Sequence, residues 1–290
     1  MARLGRIAPK KRHFNSGPVP HCPLVGQYIS RALNPEARRR AVPAVGPAPG
    51  RTGPTTSQDP GSAAQNAEFF AGEKHAHDVA ALDTYRRIRE AIEREISGSR
   101  RMLDVGNGGV FQYDTDLVEQ IVAVDLFLDQ LPPSRFPPNV AARKGDALAL
   151  EQPEGSFDTV LEALLYHHLV GAAPEALIRN VRRAIGEAER VLRPGGRLIV
   201  AESCVPRWFY RVETILFKSL RALAQTPILG GHPAVLQLPF RLLVELIGER
   251  FEIERAYRIP PGRWITQFGR RWPTVLTPAR AFMVVGRKAK

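Results

Sequence analysis

The chain has 290 residues and 44% apolar content, enough for one sizeable α/β domain and an appendage. Its net charge of +12 is uneven: residues 1–60 carry ten Lys/Arg against Glu36 and Asp59, a net of +8, leaving 12 − 8 = +4 for the rest, so the basic balance says little about the folded part. Two cysteines, Cys22 and Cys204, exclude a disulfide framework or a cysteine metal cluster and suit a reducing, cytoplasmic compartment, and no apolar run is long enough to span a membrane because Arg211, Glu213, Lys218 and Arg221 interrupt the most apolar region.

Residues 1–65 are rich in Pro, Gly and Arg, with Arg38-Arg39-Arg40 and the run Pro43 to Pro49, and show neither helical nor strand period. We expect a disordered basic tail there, without the apolar core of a signal peptide; a transit peptide, a nucleic-acid-binding arm and an overlong start are its other readings. Residues 66–99 read as a helix, because Val79, Leu82, Tyr85, Ile88, Ile92 and Ile96 recur at three- and four-residue spacing and Ser97-Gly98 ends it. His75, His77 and Asp78 do not share one helix face, so no metal site is expected.

The run Arg101-Met102-Leu103-Asp104-Val105 then meets Gly106-Asn107-Gly108-Gly109, which reads as a buried parallel strand followed by a tight turn. Glycines there let backbone approach a ligand, and the free N–H groups suit a carboxylate. Phe111 stands where a nicotinamide fingerprint needs its third glycine. Asp104, two residues before the first glycine, can recognise an ammonium group beside that carboxylate. Asp125 closes a second apolar run, Ile121 to Val124, 125 − 104 = 21 residues on, where an acid can accept from ribose hydroxyls. Amino acid plus ribose points to S-adenosylmethionine.

With these residues the chain resembles the class I S-adenosylmethionine-dependent methyltransferases, with two departures: Val110 replaces the usual third glycine, and the stretch before Asp125 is short for a full first helix. The resemblance implies that residues 66–99 help cover the cofactor, with Phe69, Phe70 and Tyr85 either lining that cover or only packing the core, the core being the first reading for Tyr85. Asn139 to Arg143 is a third strand, and Asp146 after it takes, by resemblance, the place of the acid facing the adenine amino group. Leu126, Ala147 and Glu162 complete the implied cofactor site. Phe157 to Leu161 is the fourth strand, followed by Glu162-Ala163-Leu164-Leu165-Tyr166-His167-His168, where cofactor and substrate meet in this family. His168, and after it His167, are the candidate bases.

Residues 174–193 form an amphipathic helix, with Leu177, Val181, Ile185, Ala188 and Leu192 on one side and Gly195 in position to cap it. Its exit through Arg193-Pro194-Gly195-Gly196 into Leu198 to Glu202 is a second, independent point of resemblance. Residues 203–248 read as an apolar helical cap over the sheet's carboxyl edge, which would select an apolar substrate, or equally as a segment that covers a hydrophobic surface or makes a homodimer contact. Phe251 to Ile259 and Ala281 to Val285 are the last two strands, and Trp264, Gln267 and Phe268 between them can reach the substrate pocket.

The expected architecture is a Rossmann-like, seven-stranded, mostly parallel sheet with an antiparallel last hairpin, helices on both faces and a helical cap, spanning 66–290. The resemblance implies an S-adenosylmethionine-dependent methyltransferase acting on a small, largely apolar molecule, at oxygen before carbon. Glu162-Ala163-Leu164-Leu165 stands where base-methylating enzymes of this fold carry Asn/Asp-Pro-Pro-aromatic, which argues against a nucleic-acid substrate. A non-catalytic binding module is the remaining alternative.

Overall fold

A computed structural model of the chain describes residues 82–126, 128, 131–170, 173–224, 235–267 and 270–290, all within the larger of two compact units, 46–290. The tail 1–65 lies outside the described residues, as do Phe69, Phe70, His75, His77, Asp78 and Phe268. The described strands are β1 (Arg101–Val105), β2 (Gln120–Asp125), β3 (Val140–Lys144), β4 (Phe157–Ala163), β5 (Leu192–Cys204), β6 (Glu252–Arg258), β7 (Trp264–Gln267), β8 (Arg270–Pro273) and β9 (Arg280–Arg287). The helices are α1 (Asp83–Ile96), α2 (Pro174–Val191), α3 (Arg207–Ile215), α4 (Phe217–Ala224) and α5 (Phe240–Gly248).

Seven strands form one sheet in the order β3-β2-β1-β4-β5-β9-β6. Strands β1 to β5 run parallel, and β9 lies antiparallel to both β5 and β6. This is the expected sheet with its antiparallel closing pair. Alternate residues along each strand serve opposite cores, as the strand period requires. Leu103, Val105, Val160, Leu198 and Val200 face the layer containing Leu177 and Val181 of α2 and Leu243 and Ile247 of α5. Met102, Leu161, Ile199, Met283 and Val285 face Ile88, Ile92 and Ile96 of α1. Both faces of the central strands are therefore buried, which is why they read as continuous apolar runs.

Three local features depart from the sequence reading. Helix α2 ends at Val191, and the Arg193–Gly196 turn is an irregularity within β5, where pairing with β4 jumps from Leu192 to Arg197. Gly195 is left-handed, at φ +75°, but it shapes that turn, donating its N–H to Lys288 O at 3.1 Å, rather than capping the helix. The connection 260–278 contains its own two-stranded antiparallel sheet, β7 with β8. Within 203–248, α5 packs on α2, β6 and β9, on a face of the sheet rather than over its carboxyl edge, so it follows the covering reading of that segment and not the cap reading.

The β1–β2 connection holds one short turn of helix, Thr115–Leu117, in keeping with a segment too short for a full helix. Its brevity leaves the carboxyl ends of β1 and β2 open to a common cavity.

Candidate active site

The carboxyl ends of β1, β2, β4 and β5, together with α1 and the β7–β8 hairpin, enclose a cavity of about 460 Å³, within the range of small-molecule sites. Of the predicted site residues, Asp104, Gly106, Gly108, Asp125, Leu126, Asp146, Ala147, His167 and His168 all line it. Glu162 does not. It is buried beneath the cavity, where its Oε2 accepts a short hydrogen bond from the Tyr166 hydroxyl. Burial, opposed by the Tyr166 bond and reinforced by the charge of Glu202, pushes the Glu162 carboxyl up to about 7. Glu162 thus holds the turn after β4 from below.

At the end of β1 the chain reverses through Gly106 at φ +78° and Gly108 at φ +60°, in a region that side chains rarely adopt. A Cβ at Gly106 would stand 2.5 Å from Leu165 Cδ1, so the loop also needs glycine for space. The Gly106 N–H donates to Val124 O at 2.7 Å and the Gly108 N–H to Asp125 Oδ2 at 2.9 Å, locking the β1 loop to the β2 tip. Asn107 is a residue that sequence reasoning missed: its Nδ2 donates to Asp104 Oδ2 at 2.7 Å, and its Oδ1 accepts the Gly109 N–H at 2.8 Å. Tyr113 was missed too, and its hydroxyl donates to the same Asp104 oxygen at 2.7 Å. Their only signal is position, since an Asn inside a glycine turn commonly bonds its own backbone. Burial raises the Asp104 carboxyl to about 6, against the lowering effect of these two bonds.

Past β4, Leu164 has φ +55°, a strained value for a non-glycine residue, with its N–H held by Ala201 O at 2.8 Å. The backbone then turns through Tyr166–His168. His167 Nδ1 lies 2.7 Å from Glu202 Oε1, and Glu202, almost wholly buried at the end of β5, also accepts the Tyr166 N–H at 2.8 Å and the Ser203 N–H at 2.7 Å. His167 thus meets a buried carboxylate, whereas the sequence reading put His168 first as the candidate base. The two rings lie 4.1 Å apart between centroids, tilted by 43°.

The opposite wall comes from α1 and the hairpin. Asp83 accepts the N–H groups of Arg263 at 2.7 Å and Trp264 at 3.2 Å, and the Thr84 hydroxyl donates to Trp264 O at 2.6 Å. Tyr85 lines the cavity and packs on the α1 core. Gln267 lines it too, while Trp264 is turned to solvent.

The donor set fits S-adenosylmethionine. Two carboxylates stand at adjacent strand tips, and two buried polar atoms in the walls, Gln112 Oε1 and Gln267 Nε2, have no hydrogen-bond partner among the described residues. Asp104 would hold the ammonium group and Asp125 the ribose hydroxyls. Asp146, whose Oδ1 accepts the Leu148 N–H at 2.9 Å, would meet the adenine amino group. Among the described residues, no three His, Cys, Asp or Glu side chains are placed to share a metal ion, and no helix is long and apolar enough to cross a membrane.

This sheet order, with an acid-glycine loop on β1 and an acid closing β2, is the class I S-adenosylmethionine-dependent methyltransferase architecture. Residues 103–200 match the family model described as a methyltransferase domain, and the matches are consistent with S-adenosylmethionine as the methyl donor. The chain is 30% identical over 156 residues to a demethylmenaquinone methyltransferase of Renibacterium salmoninarum, covering 51% of this chain and 62% of that protein. It is 36% identical over 129 residues to an uncharacterised methyltransferase of Mycobacterium tuberculosis, covering 41% and 49%. The chain thus spans less than two thirds of these relatives' lengths. A Thermotoga maritima protein described as a possible histamine N-methyltransferase shares the fold at a TM-score of 0.51 and 17% identity, over 78% of this chain and 99% of that one.

Proposed function

We propose that the protein transfers a methyl group from S-adenosylmethionine to a small, largely apolar molecule carrying an ionisable hydroxyl. One observation carries this reading: a single cavity is lined both by Asp104, Asp125 and the glycine loop and by the carboxylate-bound His167. Bound S-adenosylmethionine supplies a methyl group already activated on a cationic sulfur. The protein's work is then alignment, exclusion of water and removal of one proton. Glu202 accepts two backbone N–H groups and so meets His167 as an acceptor. In the tautomer that donates from Nδ1 to Glu202, Nε2 is left to take the proton of the acceptor's hydroxyl. Leu165, Val235, Ile265 and Ala281 supply apolar lining that suits an apolar acceptor.

Transfer to oxygen is the first reading. Transfer to a ring carbon of a quinone-type molecule is the second, favoured by the relative named demethylmenaquinone methyltransferase. The same base serves both, since the hydroquinone form carries a ring hydroxyl whose deprotonation makes the neighbouring carbon nucleophilic, and that carbon loses its own proton as the methylated ring regains aromaticity. Incubation of the protein with methyl-labelled S-adenosylmethionine and a cell extract, followed by mass identification of the labelled product, tests the proposal. A labelled, solvent-extractable small molecule is expected. Label confined to RNA or protein, or no transfer from bound donor, contradicts it.

A further inference from the structure

Beside the cavity lies an exposed apolar and cationic surface that neither the core nor the chemistry uses. On α3 the residues Trp208, Arg211, Val212 and Ile215 fall at i, i+3, i+4 and i+7, the spacing of one helix face. That face points outward: Trp208 is 63% exposed and Ile215 81%. The opposite face is anchored, with Phe209 and Tyr210 packed on Val205, Ile265 and Ala279, which ties α3 to the hairpin. The hairpin and the turn after it add exposed Trp264 and Trp272, with Val275 at 85% and Leu276 at 71%. All three tryptophans of the chain therefore stand in solvent on two adjoining elements.

The charge of these segments has one sign. Residues 203–244 contain a single acid, Glu213, and residues 255–290 contain none. Glu213 is turned inward, and burial raises its carboxyl to about 8 against the lowering effect of the Gln237 N–H. Arg207, Arg211 and Lys218 of α3 and α4, with Arg263 and Arg271 of the hairpin, are exposed.

We propose that this surface, α3 with the start of α4 and the β7–β8 hairpin, docks on an anionic lipid bilayer. Cations beside outward tryptophan and long aliphatic side chains match an interface of charged headgroups over hydrocarbon. A nucleic acid would use the cations and leave Ile215, Val275 and Leu276 in water. Docking would bring the cavity, whose wall includes Ile265, Thr266 and Gln267 of the same hairpin, close to molecules dissolved in the bilayer. The proposal goes beyond methyl transfer and does not require it, because vesicle binding needs no cofactor.

Vesicles of phosphatidylcholine with phosphatidylglycerol, added to the full chain, test it through tryptophan fluorescence and co-sedimentation. The tail's net +8 is a second source of attraction, but the tail holds no tryptophan, so fluorescence reports this surface alone. We expect a blue shift on mixed vesicles, none on pure phosphatidylcholine, and weakening by salt. Trp208→Ser with Ile215→Ser, and separately Arg211→Glu with Lys218→Glu, should each weaken binding roughly tenfold. Both pairs are exposed and outside the cavity, so the melting temperature and S-adenosylmethionine affinity should hold. No vesicle binding, binding without a blue shift, variants that bind normally, or a surface that holds double-stranded RNA but no vesicle would each overturn the proposal.

Discussion

Burial raises the Asp104 carboxyl to about 6, while an ammonium ligand requires that carboxyl ionised. Cofactor affinity should therefore weaken as pH falls through this value, by roughly tenfold between about pH 7 and about pH 5. Stability responds in the opposite direction. A folded pKa above the unfolded 3.8 means that ionising Asp104 costs stability, with no penalty below pH 3.8 and the full penalty above about 6. Asp104→Asn should thus lower S-adenosylmethionine affinity by about 2 kcal/mol yet keep or raise the melting temperature at alkaline pH. Calorimetry and thermal melts read the two effects separately, and a fall in both would make Asp104 a purely structural residue. For the histidines, His167→Ala should lower turnover by roughly 10²–10⁴-fold with cofactor affinity unchanged, and His168→Ala should cost less. Steady-state kinetics with the reverse ranking would return the base role to His168. The pair was legible in the sequence from its place after β4. The His167–Glu202 contact was not, because Glu202 lies 35 residues away on another strand.

At the scale of elements, the glycine loop is where fold and function meet. Gly106→Ala would force a side chain into φ +78° and against Leu165, which leads into the histidine turn. We expect a loss of about 1–2 kcal/mol of stability, with weaker cofactor binding, in a combined melt and titration. Unchanged values would show that the loop has slack. The strands of the sheet were readable because both their faces are buried, which leaves apolar runs such as Met102-Leu103 and Ile121 to Val124. Helix α1 was readable to its end at Ser97-Gly98, where Gly98 takes φ +82°. The β7–β8 hairpin was not readable, since Pro260, Pro261, Gly262 and Pro273 signal loop and its four-residue strands pair only with each other. Helix α5 was legible as a helix but not by its partner, because an apolar stripe does not say which surface it will cover.

Across the described residues of the molecule, three buried acids stand above their ordinary values: Asp104 at about 6, Glu162 at about 7 and Glu213 at about 8, each chiefly through burial. All three bind protons more tightly folded than unfolded, where their values are 3.8 and 4.5. Their penalty grows as pH rises, so the cofactor-free protein should melt at progressively lower temperature from about pH 5 to about pH 8. Saturating S-adenosylmethionine should flatten that slope by compensating Asp104, and a melting temperature that rises over the range would contradict the burial of these acids. The central claim, that the cavity binds S-adenosylmethionine through the tips of β1 and β2, is tested most directly by titrating that molecule into the wild-type chain and into Asp125→Ala. The account predicts one site per chain, weakened by about 2–3 kcal/mol in a variant that folds normally. No binding to the wild type, or equal affinity in the folded variant, would contradict it.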